Sequence, residues 1–354
     1  MKIVTIIGAR PQFVKAAAVS REIAKYKSLK EVIVHTGQHF DKNMSDIFFS
    51  QLNIPKPDYN LNINNLTHGT MTGMMLRKIE EVLLVEEPDW VLVYGDTNST
   101  LAGALAAAKL QIKVAHVEAG LRSYNNEMPE EINRLITDRI SDVLFCPTDR
   151  AIQNLLSEGY AESECEIVNS GDVMLDAEKF YSGISRMPDF DLPSEFILST
   201  IHRAENTNDS TRLKSIVFAL RNISVEVPVI LPIHPRTKKI FSKLRINTSG
   251  LTIIDPIGYL EMVWMLQNCK LVVTDSGGVQ KEAFFMEKPC LTLRHETEWV
   301  ELVNNGYNIL TGADSQLIYN SYKKMVIKKF SFDKQFYGSG KASTIIVQKL
   351  ITNL

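Results

Sequence analysis

Chemically capable side chains recur in this sequence directly behind short apolar runs. Gly95-Asp96-Thr97 follows Trp90–Tyr94, and His116-Val117-Glu118-Ala119-Gly120-Leu121-Arg122 closes the run Val114–Val117. In the second half, His202-Arg203 follows Phe196–Ile201, His234-Pro235-Arg236 follows Val227–Pro232, and Asp275-Ser276-Gly277-Gly278 follows Leu271–Thr274. Two carboxylates at successive strand ends suit proton transfer, and histidines each followed by an arginine suit a diphosphate or acid–base work. The two glycines remove the Cβ atoms that would keep a ligand from the backbone, and the helix they open points its N–H groups at an anion. Glu282, a turn into that helix, can accept two hydrogen bonds from a ribose diol.

Near the amino terminus, Gly8-Ala9-Arg10-Pro11-Gln12-Phe13-Val14-Lys15 lacks the three-glycine spacing of a dinucleotide fingerprint but sets Arg10 at a strand end and Lys15 on the first helical turns, which suits phosphate; solvated surface charges are the alternative. The hydroxyls after Asp96 serve equally as helix caps. In Pro129-Glu130-Glu131-Ile132-Asn133-Arg134 the acids also compensate a helix dipole. Dispersed histidines and the lack of any grouped Cys/His spacing argue against a metal site, and no Walker A or G-x-S-x-G sequence occurs.

Such residues need strands to present them. Apolar runs at Ile3–Ile7, Val32–His35, Trp90–Tyr94, Val114–Val117, Val143–Phe145 and Glu166–Val168 alternate with amphipathic helical stretches, and a second series follows at Phe196–Ile201, Val227–Pro232, Leu251–Ile254, Leu271–Thr274 and Cys290–Leu293. Alternation of this kind predicts an α/β protein with parallel sheets covered on both faces. The series starts twice, so two Rossmann-like doubly wound domains are expected, 1–180 and 181–339, joined through the Pro- and Gly-containing stretch Tyr181–Ser194, with ligands at the carboxyl ends of the strands. The 354 residues suffice for two domains, 45% being hydrophobic and 23% charged. A net charge of −2 gives no reason to expect nucleic acid or an anionic membrane as partner. Cys146, Cys165, Cys269 and Cys290 are widely spaced and read as reduced cysteines in or near the cores of a cytoplasmic protein; Met1–Gly8 reads as a first strand and not a signal peptide, and no run reaches membrane-spanning length.

Taken together, Gly8-Ala9-Arg10-Pro11, Gly95-Asp96-Thr97, His116-Val117-Glu118-Ala119-Gly120-Leu121-Arg122, Pro129-Glu130-Glu131 with Asn133-Arg134, His202-Arg203, His234-Pro235, Asp275-Ser276-Gly277-Gly278 with Gln280 and Glu282, and Tyr337-Gly338-Ser339-Gly340 resemble the non-hydrolysing UDP-N-acetylglucosamine 2-epimerase family. The match runs in order along nearly the whole chain. It implies a glycosyltransferase-B arrangement with an interdomain active-site cleft, a C-terminal helix (340–354) that completes the first domain, a homodimer, a UDP-sugar substrate and no cofactor. Gln12, Ala204 and Trp299-Val300 depart from the family's usual Glu, Arg and Arg-Pro. With His35-Thr36-Gly37-Gln38-His39-Phe40, Gly258–Met262 and Lys281–Phe285, these departures are similar to the branch that inverts UDP-2,3-diacetamido-2,3-dideoxy-glucuronate at C2 for surface polysaccharide. Ala204 also argues against the substrate activation of the common branch.

The resemblance assigns proton transfer to Asp96, Glu118, Glu130 and His202. It gives the diphosphate to Arg10, His234, Ser276, Gly277 and Gly278, the ribose to Glu282, and added charge near the phosphates to Lys15. A uronate carboxylate calls for a cation, for which Arg122, Arg134 and Arg294 are the candidates. The C2 hydrogen has no neighbouring carbonyl, so the family's course is elimination of UDP to a 2-acetamidoglycal followed by re-addition. A glycosyltransferase, a hydrolysing relative and a non-catalytic UDP-sugar sensor are the alternatives.

Overall fold

The computed structural model describes residues 1–38 and 55–353, apart from the Arg10 side chain. It contains two parallel sheets, each in its own compact unit. The first unit comprises Met1–Lys179 with Gln335–Leu354 and the second Phe180–Lys334, so Tyr337, Gly338 and Gly340 belong with the first unit, where a division at 339 had been expected.

In the first unit, β1 (Lys2–Ile7), β2 (Lys30–His35), β3 (Tyr59–Asn60), β4 (Trp90–Tyr94), β5 (Lys113–Val117), β6 (Val143–Cys146) and β7 (Glu166–Asn169) are ordered β3-β2-β1-β4-β5-β6-β7. In the second, β8 (Ile197–Thr200), β9 (Val229–Pro232), β10 (Leu251–Ile254), β11 (Leu271–Thr274), β12 (Cys290–Thr292) and β13 (Asn308–Leu310) are ordered β10-β9-β8-β11-β12-β13. Every pairing is parallel. Strand order reverses between β1 and β4 and between β8 and β11, and ligands of doubly wound sheets bind outside the strand ends at such a switch point.

The strands are short, β-branched and buried, as parallel strands covered on both faces must be. β3 and β13 were not anticipated: two and three residues long, they are edge strands with too few positions to form a pattern.

Helices α1 (Arg10–Ile23), α2 (His68–Glu86), α3 (Asn98–Lys109), α4 (Pro129–Ile140), α5 (Asp149–Ser157) and α6 (Val173–Ser182) belong to the first series. Met75, Ile79, Ala102 and Ala106 on α2 and α3 pack against Val4, Ile6, Val34, Val91 and Val93 of the sheet. Second-series helices are α7 (Ala204–Thr207), α8 (Ser210–Ser224), α9 (Pro235–Lys243), α10 (Tyr259–Asn268), α11 (Gly277–Phe285), α12 (Val300–Asn304) and α13 (Ser315–Ile327). There Leu213, Ile216, Leu220 and Ile318 cover Ile197, Val229, Leu231, Leu271 and Val273.

The final helix, α14 (Ala342–Thr352), returns to the first unit and packs on α1. Its opening N–H groups are satisfied by Asp176, which accepts from Ala342 N (2.9 Å), Ser343 N (3.1 Å) and Ser343 Oγ (2.7 Å). The expected linker at Tyr181–Ser194 begins inside α6 and is not a loose connector. Tyr181 is fully buried and edge-on to Tyr259 (5.2 Å), Ser185 Oγ donates to Gln267 (2.6 Å), and Arg186 pairs with Glu261 (2.6 Å). Polar docking of this kind leaves no apolar periodicity to read.

Cys146, Cys269 and Cys290 are buried, Cys165 is half-buried, and all four are free thiols. No described helix is long and apolar enough to cross a membrane.

Glu31, the second residue of β2, accepts from Thr5 Oγ1 (2.5 Å) on β1 and Ser20 Oγ (3.0 Å) on α1. Burial, against those hydrogen bonds and with the Asp58 charge, pushes its carboxyl up from 4.5 to about 7. The folded form therefore holds this proton where the unfolded chain releases it, so stability falls as pH rises through that window. Glu31→Gln should gain up to about 3 kcal/mol over the native chain at pH 8 and nothing near pH 4, as read from urea unfolding at the two pH values.

Candidate functional site

At the switch point of the first sheet, Gln12 holds two strand ends together. Its Oε1 accepts from Gly8 N (2.8 Å) and Ala9 N (2.9 Å), and its amide donates to Tyr94 O (2.8 Å) and Thr100 Oγ1 (3.0 Å). An ionised glutamate could not donate the second pair, a physical reason for glutamine here. Thr97 caps α3, accepting from Thr100 N (3.3 Å), so that hydroxyl has the capping role.

Asp96 and Glu118 stand at the ends of the adjacent strands β4 and β5. Glu118 adopts φ +74°, a left-handed backbone that costs a non-glycine residue about 1–3 kcal/mol. The N–H groups of Glu118 and Ala119 both donate to Phe145 O on β6 at 3.1 Å. Only glycine fits two residues on: Gly120 has φ +77°, and a Cβ there would lie 2.5 Å from Ala151 O.

Each carboxylate carries a cation. Lys15 Nζ forms an ion pair with Glu118, both largely buried, and Asp96 pairs with Arg134 Nη2 at 2.5 Å. Lys15 thus lies on the carboxylate, where the sequence had suggested added charge near phosphates. Asn133 donates to Asp96 O (2.9 Å).

In the first turn of α4 the two acids divide. Glu130 is exposed. Glu131 is buried, accepts from Ser123 N and Tyr124 N (2.9 Å to the latter), and pairs with Arg134. Burial opposes its charge, but those backbone N–H groups and the guanidinium hold it below the usual carboxylate range. The side chain of Arg122, a candidate for a sugar carboxylate, is wholly covered and donates to Asp138 (2.7 Å), Leu121 O (2.7 Å) and Glu158 (2.8 Å from both Nε and Nη2). Arg10 opens α1, its side chain lying outside the described part, as do His39 and Phe40.

In the second unit, His202 and Arg203 follow β8 and the Ser276–Gly278 turn follows its neighbour β11. Buried Asp275 ties the two together, accepting from His202 N (3.0 Å), Arg203 N (3.1 Å), Asn206 Nδ2 (3.1 Å) and the His202 ring (3.1 Å). Ser276 caps α11, its Oγ accepting from Val279 N (3.4 Å).

A Cβ on Gly277 would lie 3.6 Å from Glu298, 3.7 Å from Arg203 and 3.9 Å from Arg294, so two guanidiniums and one carboxylate crowd the positive end of that helix. Arg294 is bidentate to Glu298 (2.9 and 3.2 Å). Trp299 Nε1 donates to Gly277 O (2.8 Å), and Lys281 Nζ lies 4.2 Å over its indole ring. Glu282 is half-buried on α11, while His234 is exposed as the cap of α9.

Asp138, Asp275 and Lys281 are the polar residues whose weight sequence reasoning missed. For Asp138 a signal existed: Glu131, Arg134 and Asp138 repeat at three- and four-residue spacing, the mark of one inward polar stripe on a helix.

Two doubly wound units with charged groups at their switch points define an α/β protein of the glycosyltransferase-B fold class. The family model for UDP-N-acetylglucosamine 2-epimerase matches residues 21–351. A UDP-2,3-diacetamido-2,3-dideoxy-D-glucuronate 2-epimerase of Pseudomonas aeruginosa is 58% identical over 353 residues, 99% of each chain. Among solved structures, Methanocaldococcus jannaschii UDP-GlcNAc 2-epimerase in complex with UDP-GlcNAc and UDP aligns with a TM-score of 0.88 at 43% identity, over 99% of this chain and 100% of that one. The UDP-GlcNAc-bound enzyme of Neisseria meningitidis gives 0.86 at 32%, over the whole of both chains. This chain belongs to the UDP-N-acetylglucosamine 2-epimerase family.

Burial would raise the Asp275 carboxyl, but hydrogen bonds and charge from His202, with the Asn206 amide, hold it below its ordinary 3.8. Its contribution to stability is therefore complete above pH 3.8 and is lost as pH falls through the lower folded value. Asp275→Asn should lose about 2–3 kcal/mol at pH 7 by urea unfolding, the gap closing in acid.

Proposed function

We propose that this protein inverts C2 of a UDP-2-acetamido sugar, with UDP-2,3-diacetamido-2,3-dideoxy-D-glucuronate converted to its manno isomer. The observation carrying the reaction type is the presence of two carboxylates, Asp96 and Glu118, on adjacent strand ends at the edge of a parallel sheet, each with its own cation. The substrate assignment is supported by the 58% identity to the Pseudomonas aeruginosa enzyme over 99% of both chains.

The chemistry follows from the sugar. As the C1–O bond to UDP breaks, the ring oxygen supports positive character at C1, and the C2 proton passes to a carboxylate, leaving a 2-acetamidoglycal. A second carrier returns a proton to the opposite face of C2, and the UDP oxygen closes on C1 again. Net change is inversion with one solvent-exchanged hydrogen and no redox step. Ser276, Gly277 and Gly278 at the α11 terminus, with His234, hold the departing diphosphate, and Glu282 holds the ribose. Asp96, Glu118, Glu130 and His202 supply proton transfer, and the cations beside Asp96 and Glu118 hold those two carboxylates in place.

A second reading, UDP-N-acetylglucosamine as substrate, is favoured by one observation. Each of the arginines expected to meet a sugar carboxylate already carries a carboxylate partner: Arg122 has Asp138 and Glu158, Arg134 has Asp96 and Glu131, and Arg294 has Glu298. A cytoplasmic homodimer serving O-antigen or capsule biosynthesis completes the reading and is supported by the family resemblance.

Incubation with each UDP-sugar in deuterium oxide decides: the true substrate gains one deuteron at C2 with its nucleotide linkage intact, and accumulation of free sugar would refute the epimerase. Glu118→Gln and Asp96→Asn should each lower the inversion rate at least 100-fold while UDP affinity measured by calorimetry stays within threefold. A parallel loss of UDP binding would move these residues from proton transfer to ligand holding.

A further inference from the structure

Behind the two carboxylates lies a buried network to which no role has so far been given. His116, the fourth residue of β5, is wholly buried, with hydrogen-bond partners at both ring nitrogens: Nε2 lies 2.7 Å from Gly95 O and Nδ1 lies 2.7 Å from Asp138 Oδ1. Gly95 O can only accept, so Nε2 carries a hydrogen. Asp138, also wholly buried on α4, accepts in addition from Gly120 N (3.2 Å) and Arg122 Nη1 (2.7 Å). The carboxylate thus gathers an imidazole, a backbone N–H and a guanidinium in one dry place. The buried Asp138 carboxylate has the Arg122 guanidinium as its counter-charge, and that guanidinium reaches the exposed Glu158 as well.

Its position gives this network its meaning. Gly95 precedes Asp96, and Gly120 lies two residues past Glu118. Gly95, Glu118 and Gly120 all have positive φ, at +63°, +74° and +77°. Such turns hold their shape only when their surroundings over-determine them. One carboxylate therefore fastens both turns, Gly120 directly and Gly95 through the imidazole ring. The same helix sends Arg134 to the Asp96 carboxylate and Asn133 to its carbonyl.

We propose that Asp138 and His116 are positioning residues that act as a two-ended clamp, setting the Asp96 and Glu118 turns at the spacing proton transfer across C2 requires. His116 is not itself a proton carrier: it is sealed from solvent, with both ring nitrogens committed. The inference rests on the epimerase reading and adds to it the residues that hold its acid–base groups in place. A displacement of the order of 1 Å in a reacting group costs about 100-fold in rate, so the clamp should act on kcat.

The test uses the full-length protein and the variants His116→Gln and Asp138→Asn. For each, kcat and KM are taken from deuterium incorporation at C2, UDP affinity from calorimetry and folding from thermal unfolding. The expected result is a kcat 10- to 100-fold lower with KM and UDP affinity within twofold, and a pH–rate profile whose limbs stay where they are in the native enzyme. NMR of the native protein should show one slowly exchanging histidine ring N–H, assigned as His116 by its loss in His116→Gln. An unchanged kcat, an equal loss in kcat and UDP affinity, disappearance of a pH limb in His116→Gln, or absence of a protected His116 ring N–H would each overturn the clamp. Should either variant fail to fold, the other variant and the ring spectrum of the native protein still decide. Lack of C2 exchange in the native protein would instead sink the epimerase reading, with the ring spectrum alone then judging the clamp.

Discussion

Parallel pairing of β1 with β4, Ile3 opposite Trp90 through Ile6 opposite Val93, is the constraint from which the first unit's chemistry follows. Parallel strands all end at one edge of the sheet, so each βα turn opens on that edge, and where strand order reverses the neighbouring turns diverge and leave room for a ligand. The second unit repeats the device with β8 and β11, Leu271 opposite Ile197 through Thr274 opposite Thr200. Asp96 and Glu118 in one unit, and His202, Arg203 and Ser276–Gly278 in the other, stand where they do because the sheets leave them nowhere else to stand.

Turns that present charged groups must themselves be held. In the second unit the carboxylate of Asp275 gathers two backbone N–H groups, an amide and an imidazole, and in the first unit Asp138 gathers an imidazole, a backbone N–H and a guanidinium. Both carboxylates are wholly buried and both are held below the ordinary range against the cost of burial. A buried anion that satisfies several donors is costly to remove, because each donor then faces a dry interior unpaired. Stability and the geometry of the reactive edge therefore reside in the same few hydrogen bonds.

Charge is spent locally as well. The net charge is only −2, yet Lys15, Arg134, Arg203 and Arg294 all lie at strand ends or beside them, each facing a carboxylate. Such pairing gives each of these cations a counter-charge close by and leaves the surface without a general affinity for polyanions. The Trp299 indole, which fixes Gly277 O and lies under Lys281, belongs to the same economy of fixed groups around a backbone cradle.

The sequence alone was enough to read the α/β class, the two series of strands and the position of reactive residues behind them, because buried parallel strands demand unbroken β-branched runs and the turns after them tolerate polar residues. It was enough, too, for the family, since the motifs recur in order. Only the tertiary structure decided which charges face one another: that Arg122 is bound to Asp138 and Glu158, that Lys15 meets Glu118, and that Glu131 turns inward while Glu130 stays exposed. Those outcomes depend on contacts such as His116 with Gly95, 21 residues apart, and Asp275 with His202, 73 apart, where a side chain's partner is fixed by sheet order and not by its neighbours in the chain.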